Sequence, residues 1–235
     1  GDLGVGKLAS PERIVENVVA YFEEPAEEIN DLEGKKIIIT AGPTQESIDP
    51  VRYITNHSSG KMGYEIARNA VERGAEVILV SGQTNLETPK GVTRIDVKST
   101  DEMYQRILNE FDTADVVIKA AAVADYRPVK VAENKIKKAS GNLVIELTRN
   151  VDIAFELGKI KGQRVIVGFA AETENLIENA KAKIDKKNFD MIVCNDVSKE
   201  GAGFKSDTNI VSIIDGAGDV VEYPLQTKTE IATII

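Results

Sequence analysis

The chain has 235 residues, and its 38 acidic and 29 basic side chains give it a net charge of -9. This excess of negative charge argues against nucleic acid or an anionic membrane as the main partner, because both bind basic surfaces. One cysteine and one histidine exclude an intrachain disulfide and a cysteine-rich zinc site. No apolar run reaches the ~18 residues of a membrane helix and no signal sequence is recognised, so a cytoplasmic globular protein is predicted.

The first 33 residues differ in character from the rest. Ser10-Pro11-Glu12 opens a run of apolar residues at helical spacing, and an acidic stretch over residues 23–31 follows it. We predict residues 1–33 to be a tail and linker, and residues 34–235 to be one domain.

In residues 34–63, an apolar strand is followed by two loops rich in small residues. Three isoleucines at 37–39 predict a buried parallel strand, and Gly42 follows at its carboxyl end, where open α/β sheets bind ligands. The second loop, over residues 56–61, precedes a helix predicted over residues 62–73. Because the amino end of a helix offers unpaired N–H groups, this loop suits an anion such as phosphate.

The known dinucleotide fingerprints are absent from this region. No G-x-G-x-x-G follows the first strand, and the next strand ends in Ser81-Gly82 with no acidic residue for a ribose hydroxyl. No G-x-x-x-x-G-K-[ST] is present either. An NAD(P)-binding oxidoreductase is therefore the weaker alternative, and a non-catalytic nucleotide-binding module is another.

Apolar runs and helical patterns alternate along the rest of the chain. This predicts an α/β fold: a Rossmann-like, mostly parallel sheet with helices on both faces, plus a C-terminal antiparallel hairpin. Cys194 falls in a strand, where a buried inert thiol is expected. Capping patterns at Ser99-x-x-Glu102 and Asn175-x-x-Glu178 mark two helix starts. Strands are predicted near residues 36–40, 76–81, 92–97, 115–119, 164–169, 191–195, 210–214 and 220–223, and helices near 62–73, 100–111, 151–159 and 175–187.

Several motifs together resemble the bacterial phosphopantothenoylcysteine synthetase family, also called phosphopantothenate-cysteine ligase. They occur in the order of that family: residues 34–63, Ala120–Arg127, Lys135–Lys138, Gly168–Thr173, Asn195–Val197 and Gly203–Asp207. The first residues resemble the closing segment of the flavin-dependent decarboxylase that precedes the ligase in the bifunctional bacterial coenzyme A protein. A simple docking helix is the alternative for that segment. The resemblance places FMN only in the separate decarboxylase domain, and implies that the closing helix of the family is cut short in this chain.

The resemblance implies a two-step reaction. The carboxylate of 4′-phosphopantothenate attacks the α-phosphate of CTP to give an acyl cytidylate and pyrophosphate, with Mg²⁺ accompanying the nucleotide. The amine of L-cysteine then attacks the acyl group and expels CMP. A homodimer with active sites near the subunit interface is implied as well.

The resemblance also implies which residues carry this reaction. Asn56, Lys135 and Arg52 would be catalytic, with Lys135 on a mobile lid of the Lys-Ile-Lys-Lys sequence, and Asp125 would be the protein contact for Mg²⁺. Asn56, Arg52, Ala121 and Ala122 would bind the acyl substrate. His57 is interpreted as a donor that orders its loop rather than as a general base. The implied nucleotide-binding residues are Gly42, Ser58, Ser59, Gly60, Asp125, Lys135, Val151, Asp152, Ile153, Ala154, Phe169, Lys183 and Lys187.

Three of these assignments depend on the resemblance alone. Lys183 and Lys187 lie four residues apart on one predicted helix, and their spacing alone favours two solvated lysines on the helix surface. A cationic loop such as residues 135–138 is usually solvated. Val151 stands where the family has a proline, which leaves the geometry of that turn open.

Overall fold

The structure is a computed structural model that describes residues 9–15, 29–138, 140–172, 176–196 and 206–235. A helical turn over residues 11–15 agrees with the start of the predicted N-terminal helix. The rest of that helix, the cap predicted at Asn175 and the motif residues 173, 197 and 203–205 lie outside the described residues. The division into tail and ligase domain stays a prediction.

An eight-stranded sheet forms the centre of the domain, in the order β12-β11-β10-β9-β6-β1-β4-β5. The six strands from β10 to β5 run parallel, and β11 and β12 are antiparallel to their neighbours. This confirms the predicted fold class. The strands are β1 Lys36–Ala41, β2 Gln45–Ser47, β3 Tyr53–Thr55, β4 Glu76–Ser81, β5 Thr93–Asp96, β6 Val116–Lys119, β7 Tyr126–Pro128, β8 Leu147–Arg149, β9 Val165–Glu172, β10 Met191–Asp196, β11 Thr208–Asp215 and β12 Val220–Thr227.

Helices cover both faces of the sheet because its strands are apolar on both sides. Ile38 packs into one cluster with α2, α3 and α4, whereas Ile37 and Ile39 pack into the other with α1 and α5. Cys194 is fully buried in β10, as expected. No helix in the described ranges is long and apolar enough to cross a membrane. The helices are α1 Lys61–Glu72, α2 Thr100–Phe111, α3 Ile153–Lys159, α4 Leu176–Lys187 and α5 Lys228–Ile234.

Capping side chains fix where two helices begin. Ser99 Oγ accepts from the Glu102 N–H at 3.1 Å, which confirms the predicted cap of α2. The Glu102 carboxylate accepts from the Lys98 N–H at 2.7 Å, one residue before the position of a full capping box. The sequence reading missed a full capping box at Thr227 and Glu230, which starts α5.

The order of the strands reverses between β1 and β6. From β1 the chain moves to β4 and β5 on one side, and from β6 it moves to β9 and β10 on the other. In open α/β sheets the crevice at the carboxyl ends of such a pair is the usual ligand site. Two antiparallel ribbons that the sequence reading missed, β2–β3 and β7–β8, follow β1 and β6 at this edge.

The loops at this edge are packed against each other. A Cβ on Gly63 would lie 2.6 Å from Ala41 Cβ, so the first turn of α1 lies directly against the end of β1. Gly42 and Gly60 have φ angles of 72° and 79°, which favour glycine. The Thr84 Cγ2 methyl is 2.8 Å from the Cβ position of both glycines. The loops after β1, β4 and β3 therefore form one packed unit.

Candidate functional site

Two adjoining cavities open at the carboxyl ends of the central strands. The first lobe, of about 350 Å³, lies against the amino end of α1 and the loop after β6. The second lobe, of about 400 Å³, lies between that loop and helices α3 and α4. The residues that line both lobes, and so join them, are Ala121, Val123, Asp125, Phe169 and Lys183.

The lining of the two lobes is cationic although the chain is acidic. Six basic side chains face two carboxylates, whereas the whole chain has a net charge of -9. A cleft with one sign of charge and low-dielectric walls concentrates ligands of the opposite sign. The site therefore suits an anion. The charged lining residues are Lys61, Lys119, Arg149, Lys183, Lys187, Lys228, Asp125 and Asp152.

The amino end of α1 lines the first lobe. Gly60 is its N-cap and has no side chain to accept from the first-turn N–H groups. The Gly60 N–H itself donates to Ser58 Oγ at 3.2 Å, which shapes the loop. Ser58, Ser59 and Gly60 all line this lobe, so the structure brings three predicted anion-binding residues together.

Three further residues of the first lobe were missed as site residues by the sequence reading. Lys228 is 5% exposed, and its Nζ donates to the Ser206 carbonyl at 2.5 Å. Burial, and secondarily the charge of Lys61, lower the pKa of Lys228, while Asp207 opposes this. Asn209 Nδ2 donates to Asn195 Oδ1 at 2.9 Å. Lys228 directly follows the Thr227 cap, so recognising that capping box would have placed it at a helix start.

The second lobe contains a carboxylate between two lysines. Asp152 caps α3 through the Phe155 N–H at 3.2 Å, and Lys187 Nζ on α4 lies 3.0 Å from its carboxylate. Burial raises the pKa of Asp152, but the bonds from Lys187 and Phe155 outweigh this and leave it below the usual value. Lys119, which the sequence reading did not select, lies at the end of β6 and also lines this lobe.

Asn150 holds the turn that precedes α3. Its N–H donates to the Asp125 carbonyl at 2.8 Å, and its side-chain amide donates to the Ala124 carbonyl at 2.7 Å. These bonds join the turn before α3 to the loop after β6. Val151, which stands in place of a proline, is in this turn. Val151, Asp152, Ile153 and Ala154 all line the second lobe.

Several backbone groups of the loop after β6 are hydrogen-bonded within the protein. The Ala122 N–H donates to the Gly42 carbonyl at 2.9 Å, and the Ala122 carbonyl accepts from the Thr44 N–H at 3.3 Å. The Ala121 N–H donates to Thr40 Oγ1 at 3.2 Å. Asn56 Nδ2 reaches this loop at the Val123 carbonyl, 2.9 Å away. The two alanines therefore offer a ligand close approach, while their N–H groups are already bonded within the protein, so donors to a ligand here are side chains such as Asn56.

A buried polar network joins the loops after β1 and β6 to the turn before α3. Thr100 Oγ1 donates to Glu46 Oε1 at 2.7 Å and lies 3.2 Å from the hydroxyl of Thr44. Thr44 Oγ1 accepts from the Ala124 N–H at 2.9 Å, and Asn150 Nδ2 lies 3.2 Å from Thr100 Oγ1. Glu46 and Thr100 are 3% and 0% exposed. The periodicity of the sequence does not predict this network, because its members are far apart along the chain.

Arg52 and Lys135 lie apart from the two lobes. They line a separate cavity of about 690 Å³ with residues 136–138 and 141–143. Arg52 Nη2 donates to the Ile136 carbonyl at 2.7 Å, and the Ile136 N–H donates to Asp49 Oδ2 at 3.0 Å. The Arg52 guanidinium, with help from backbone N–H groups, holds the pKa of Asp49 far below its usual value. Arg52 and Asp49 thus bind the lysine-rich loop through the two backbone groups of Ile136.

Two other predicted residues do not line either lobe. Gly42 packs against Gly82 and Thr84 behind the first lobe. His57 is exposed in its loop. Within the described ranges, no three His, Cys, Asp or Glu side chains converge as metal ligands, and Asp125 is the single carboxylate in the lining of the first lobe.

Known proteins are similar to this chain in sequence and fold. The profile of the family described as "DNA/pantothenate metabolism flavoprotein C-terminal domain" matches residues 32–235. The coenzyme A biosynthesis bifunctional protein CoaBC of Bacillus subtilis (strain 168) is 48% identical over 233 residues, which are 99% of this chain and 57% of that protein. A cysteine/cysteine sulfinic acid decarboxylase from an unknown prokaryotic organism is 44% identical over 237 residues, 100% of this chain and 66% of that protein.

A solved structure agrees with these relatives. The crystal structure of the C-terminal domain of a CoaBC protein matches with a TM-score of 0.75 and 50% identity, over 86% of this chain and 92% of that one. The chain spans 57% and 66% of the length of the two curated relatives, so it corresponds to part of each. From residue 32 onward, the chain belongs to the family of the C-terminal domain of DNA/pantothenate metabolism flavoproteins.

Proposed function

We propose that this domain is a CTP-dependent phosphopantothenate-cysteine ligase. The observation that carries the proposal is the pair of cation-lined lobes at the carboxyl ends of β1 and β6, where the strand order reverses. The chain is also 48% identical to a CoaBC protein. Six basic side chains against two carboxylates suit the multiple negative charges of a nucleoside triphosphate. The alternative of an NAD(P)-binding oxidoreductase gains no support from these relatives.

The triphosphate is assigned to the first lobe and the base to the second. The first lobe has the amino end of α1, two serines and the buried Lys228, all suited to phosphate oxygens. The second lobe has the aromatic rings of Phe169 and Phe189, which suit a flat base. Lys183 lines both lobes, so it lies where the nucleotide would pass from one lobe to the other.

Mg²⁺ is expected to arrive with the nucleotide. It prefers six oxygen ligands, and the first lobe supplies Asp125 and the hydroxyls of Ser58 and Ser59 but no carboxylate cluster. These oxygens fit a metal held mainly by phosphate and water, with Asp125 as the candidate protein contact. When bound, the ion would supply charge neutralisation on the phosphates.

The protein's contribution to acyl transfer would be positioning and charge stabilisation. The close approach allowed by Ala121 and Ala122 would bring the acyl group next to the α-phosphate. Asn56, whose amide already points at this loop, would donate to the acyl oxygen as cysteine attacks. Lys135 lines neither lobe, so its proposed contact with the triphosphate requires its loop to close over the first lobe.

The remaining assignments concern the whole protein. The Bacillus subtilis relative is longer and bifunctional by name, and we propose that an FMN-dependent decarboxylase domain precedes this one. A homodimer of ligase domains and a cytoplasmic location complete the proposal.

A reconstituted reaction tests it. The purified domain is incubated with Mg²⁺, 4′-phosphopantothenate, L-cysteine and each of CTP, ATP and UTP, while pyrophosphate and amide product are measured. Pyrophosphate should appear with CTP and phosphopantothenate, and amide only after cysteine is added. Carbon dioxide is measured with cysteine alone, because one relative is described as a cysteine decarboxylase. Absence of both pyrophosphate and amide from a folded protein would overturn the proposal.

A further inference from the structure

Lys119 is the last residue of β6 and lines the second lobe. In the sheet, β6 lies between β1 and β9, and Lys119 is in register with Thr40 on one side and Gly168 on the other. A Cβ on Gly168 would lie 2.4 Å from the ring of Phe189. Because residues in parallel register project to the same face, the Phe189 ring and the Lys119 side chain share one side of the sheet. Lys119 is partly buried there and lines the lobe.

The charged groups of this lobe come from every element around it. Asp152 precedes α3, and Lys183 and Lys187 lie on α4. Asp125 directly precedes β7, and Arg149 is the last residue of β8. Asp152 is occupied by Lys187 and by the Phe155 N–H. The Asp152 carboxylate attracts the Lys119 ammonium at longer range, whereas the charge of Lys187 repels the Lys119 ammonium.

Within the described ranges, the Lys119 ammonium has no hydrogen bond and no ion pair within 4 Å. Burial, and secondarily the charge of Lys187, lower its pKa to about 8. An ammonium has three donors and no acceptor, and leaving such a group unpaired in a partly apolar site is unfavourable. A ligand that completes this lobe must therefore present acceptors to Lys119.

The shape of the lobe restricts which acceptors these are. Phe169, Phe189 and Ile153 provide flat and apolar walls, and the phosphate-binding features lie in the first lobe. A base in the second lobe would present its edge to Lys119. Cytosine has two adjacent acceptors, N3 and O2, on that edge, whereas uracil has an N3–H donor between its two carbonyl groups. A donor-only side chain fits cytosine and opposes the N3–H of uracil.

We infer that Lys119 is a specificity-determining residue that donates to N3 and O2 of the cytosine base. The inference rests on the proposed function and deepens it. Because only the ammonium form is a pure donor, CTP binding should weaken as Lys119 loses its proton. With a pKa of about 8, the charged fraction falls about tenfold from pH 7 to pH 9.

Equilibrium binding of CTP and UTP with Mg²⁺, measured by calorimetry, tests this in four proteins. These are the wild type, Lys119→Met, Lys119→Arg and Lys90→Met, a control at an exposed lysine outside both lobes. At pH 7 the preference for CTP over UTP should fall roughly ten- to hundredfold in Lys119→Met and stay unchanged in Lys90→Met. From pH 7 to pH 9 the affinity of the wild type for CTP should fall about tenfold, whereas Lys119→Arg, which keeps its charge, should show a flat profile. Thermal unfolding of each variant verifies that it is folded.

The outcomes separate the inference from the proposed function. Equal CTP preference in Lys119→Met and wild type would overturn the inference even if the ligase reaction proceeds normally. A pH profile shared by wild type and Lys119→Arg would also overturn it. A CTP preference and pH profile that both depend on Lys119 would support the inference, even in a protein that forms no amide product. In that last case only the proposed ligase reaction would fail.

Discussion

Replacing Thr100 with valine should destabilise the domain by removing one hydroxyl from the network beneath the two lobes. The hydroxyl can donate to one acceptor at a time, and Glu46 at 2.7 Å is closer than the Ala124 carbonyl at 3.3 Å. A hydrogen bond to a charged group contributes about 1.5–3 kcal/mol. Thr44 and Asn150 each lose one partner but keep another, which costs about 1 kcal/mol together. The added methyl group regains about 0.8 kcal/mol.

The expected net loss is about 2–3 kcal/mol in the free energy of unfolding, or roughly 4–12 °C in Tm for a domain of this size. Urea denaturation measures it, with Thr229→Val as the matched control. The hydroxyl of Thr229 lies on the surface of α5, 3.2 Å from the Glu65 carboxylate, so its loss should cost less than about 0.5 kcal/mol. Equal denaturation midpoints for the two variants would refute the assignment of this network as a support of the site.

Four further predictions concern the site itself. Asn56→Asp should slow amide formation about 10²- to 10³-fold, as for a lost oxyanion donor, with a smaller effect on pyrophosphate release; acyl cytidylate should accumulate in quenched samples analysed by mass spectrometry, and amide formed at the wild-type rate would contradict the role of Asn56. Lys135→Gln should slow pyrophosphate release without changing the urea midpoint, and unchanged release would remove Lys135 from the mechanism. Asp49→Asn removes the acceptor of Arg52 and of the Ile136 N–H, so trypsin should cleave after Lys135, Lys137 and Lys138 faster than in the wild type; equal cleavage would show that the loop is held by other contacts. The pKa of Lys119 is about 8 in the folded state and near 10.5 in the unfolded chain, so between these values the unfolded chain binds more protons and stability rises with pH. Urea titrations at pH 7.5 and 10 should show the wild type gaining stability relative to Lys119→Met, and a constant difference would indicate that Lys119 titrates normally.

The sequence was sufficient for the parts of the fold that have a periodic signal. The β-branched residues at 37–39 and 192–193 form central strands because both faces of a parallel sheet are buried. The cap at Ser99 was predictable for a local reason, since the bond joins residues three apart. Ribbons β2–β3 and β7–β8 have three-residue strands, too short for alternation to show.

The candidate site divides in the same way. Ser58, Ser59 and Gly60 stand out because a run of small polar residues before a helix is visible in the sequence. Lys119 reads only as the end of an apolar strand, and its placement beside Asp152 and Lys187 depends on pairing between distant segments. The ion pair of Arg52 with Asp49 is local, since the two residues are three apart, whereas the contact of Arg52 with Ile136, 84 residues away, has no signal in the sequence.

The position of Thr84 has a consequence for moving this site into another protein. Its hydroxyl donates to Tyr64 at 3.0 Å, which directs the methyl group toward both Gly42 and Gly60. Thr84 lines neither lobe, yet this one methyl group sets the spacing between the loop after β1 and the loop after β3. Grafting residues 56–63 onto a different sheet would transfer the groups that touch a ligand but not the spacer behind them. A transplant that keeps the geometry needs the loop after β4 and Tyr64 as well, so the smallest portable unit includes side chains with no access to the ligand.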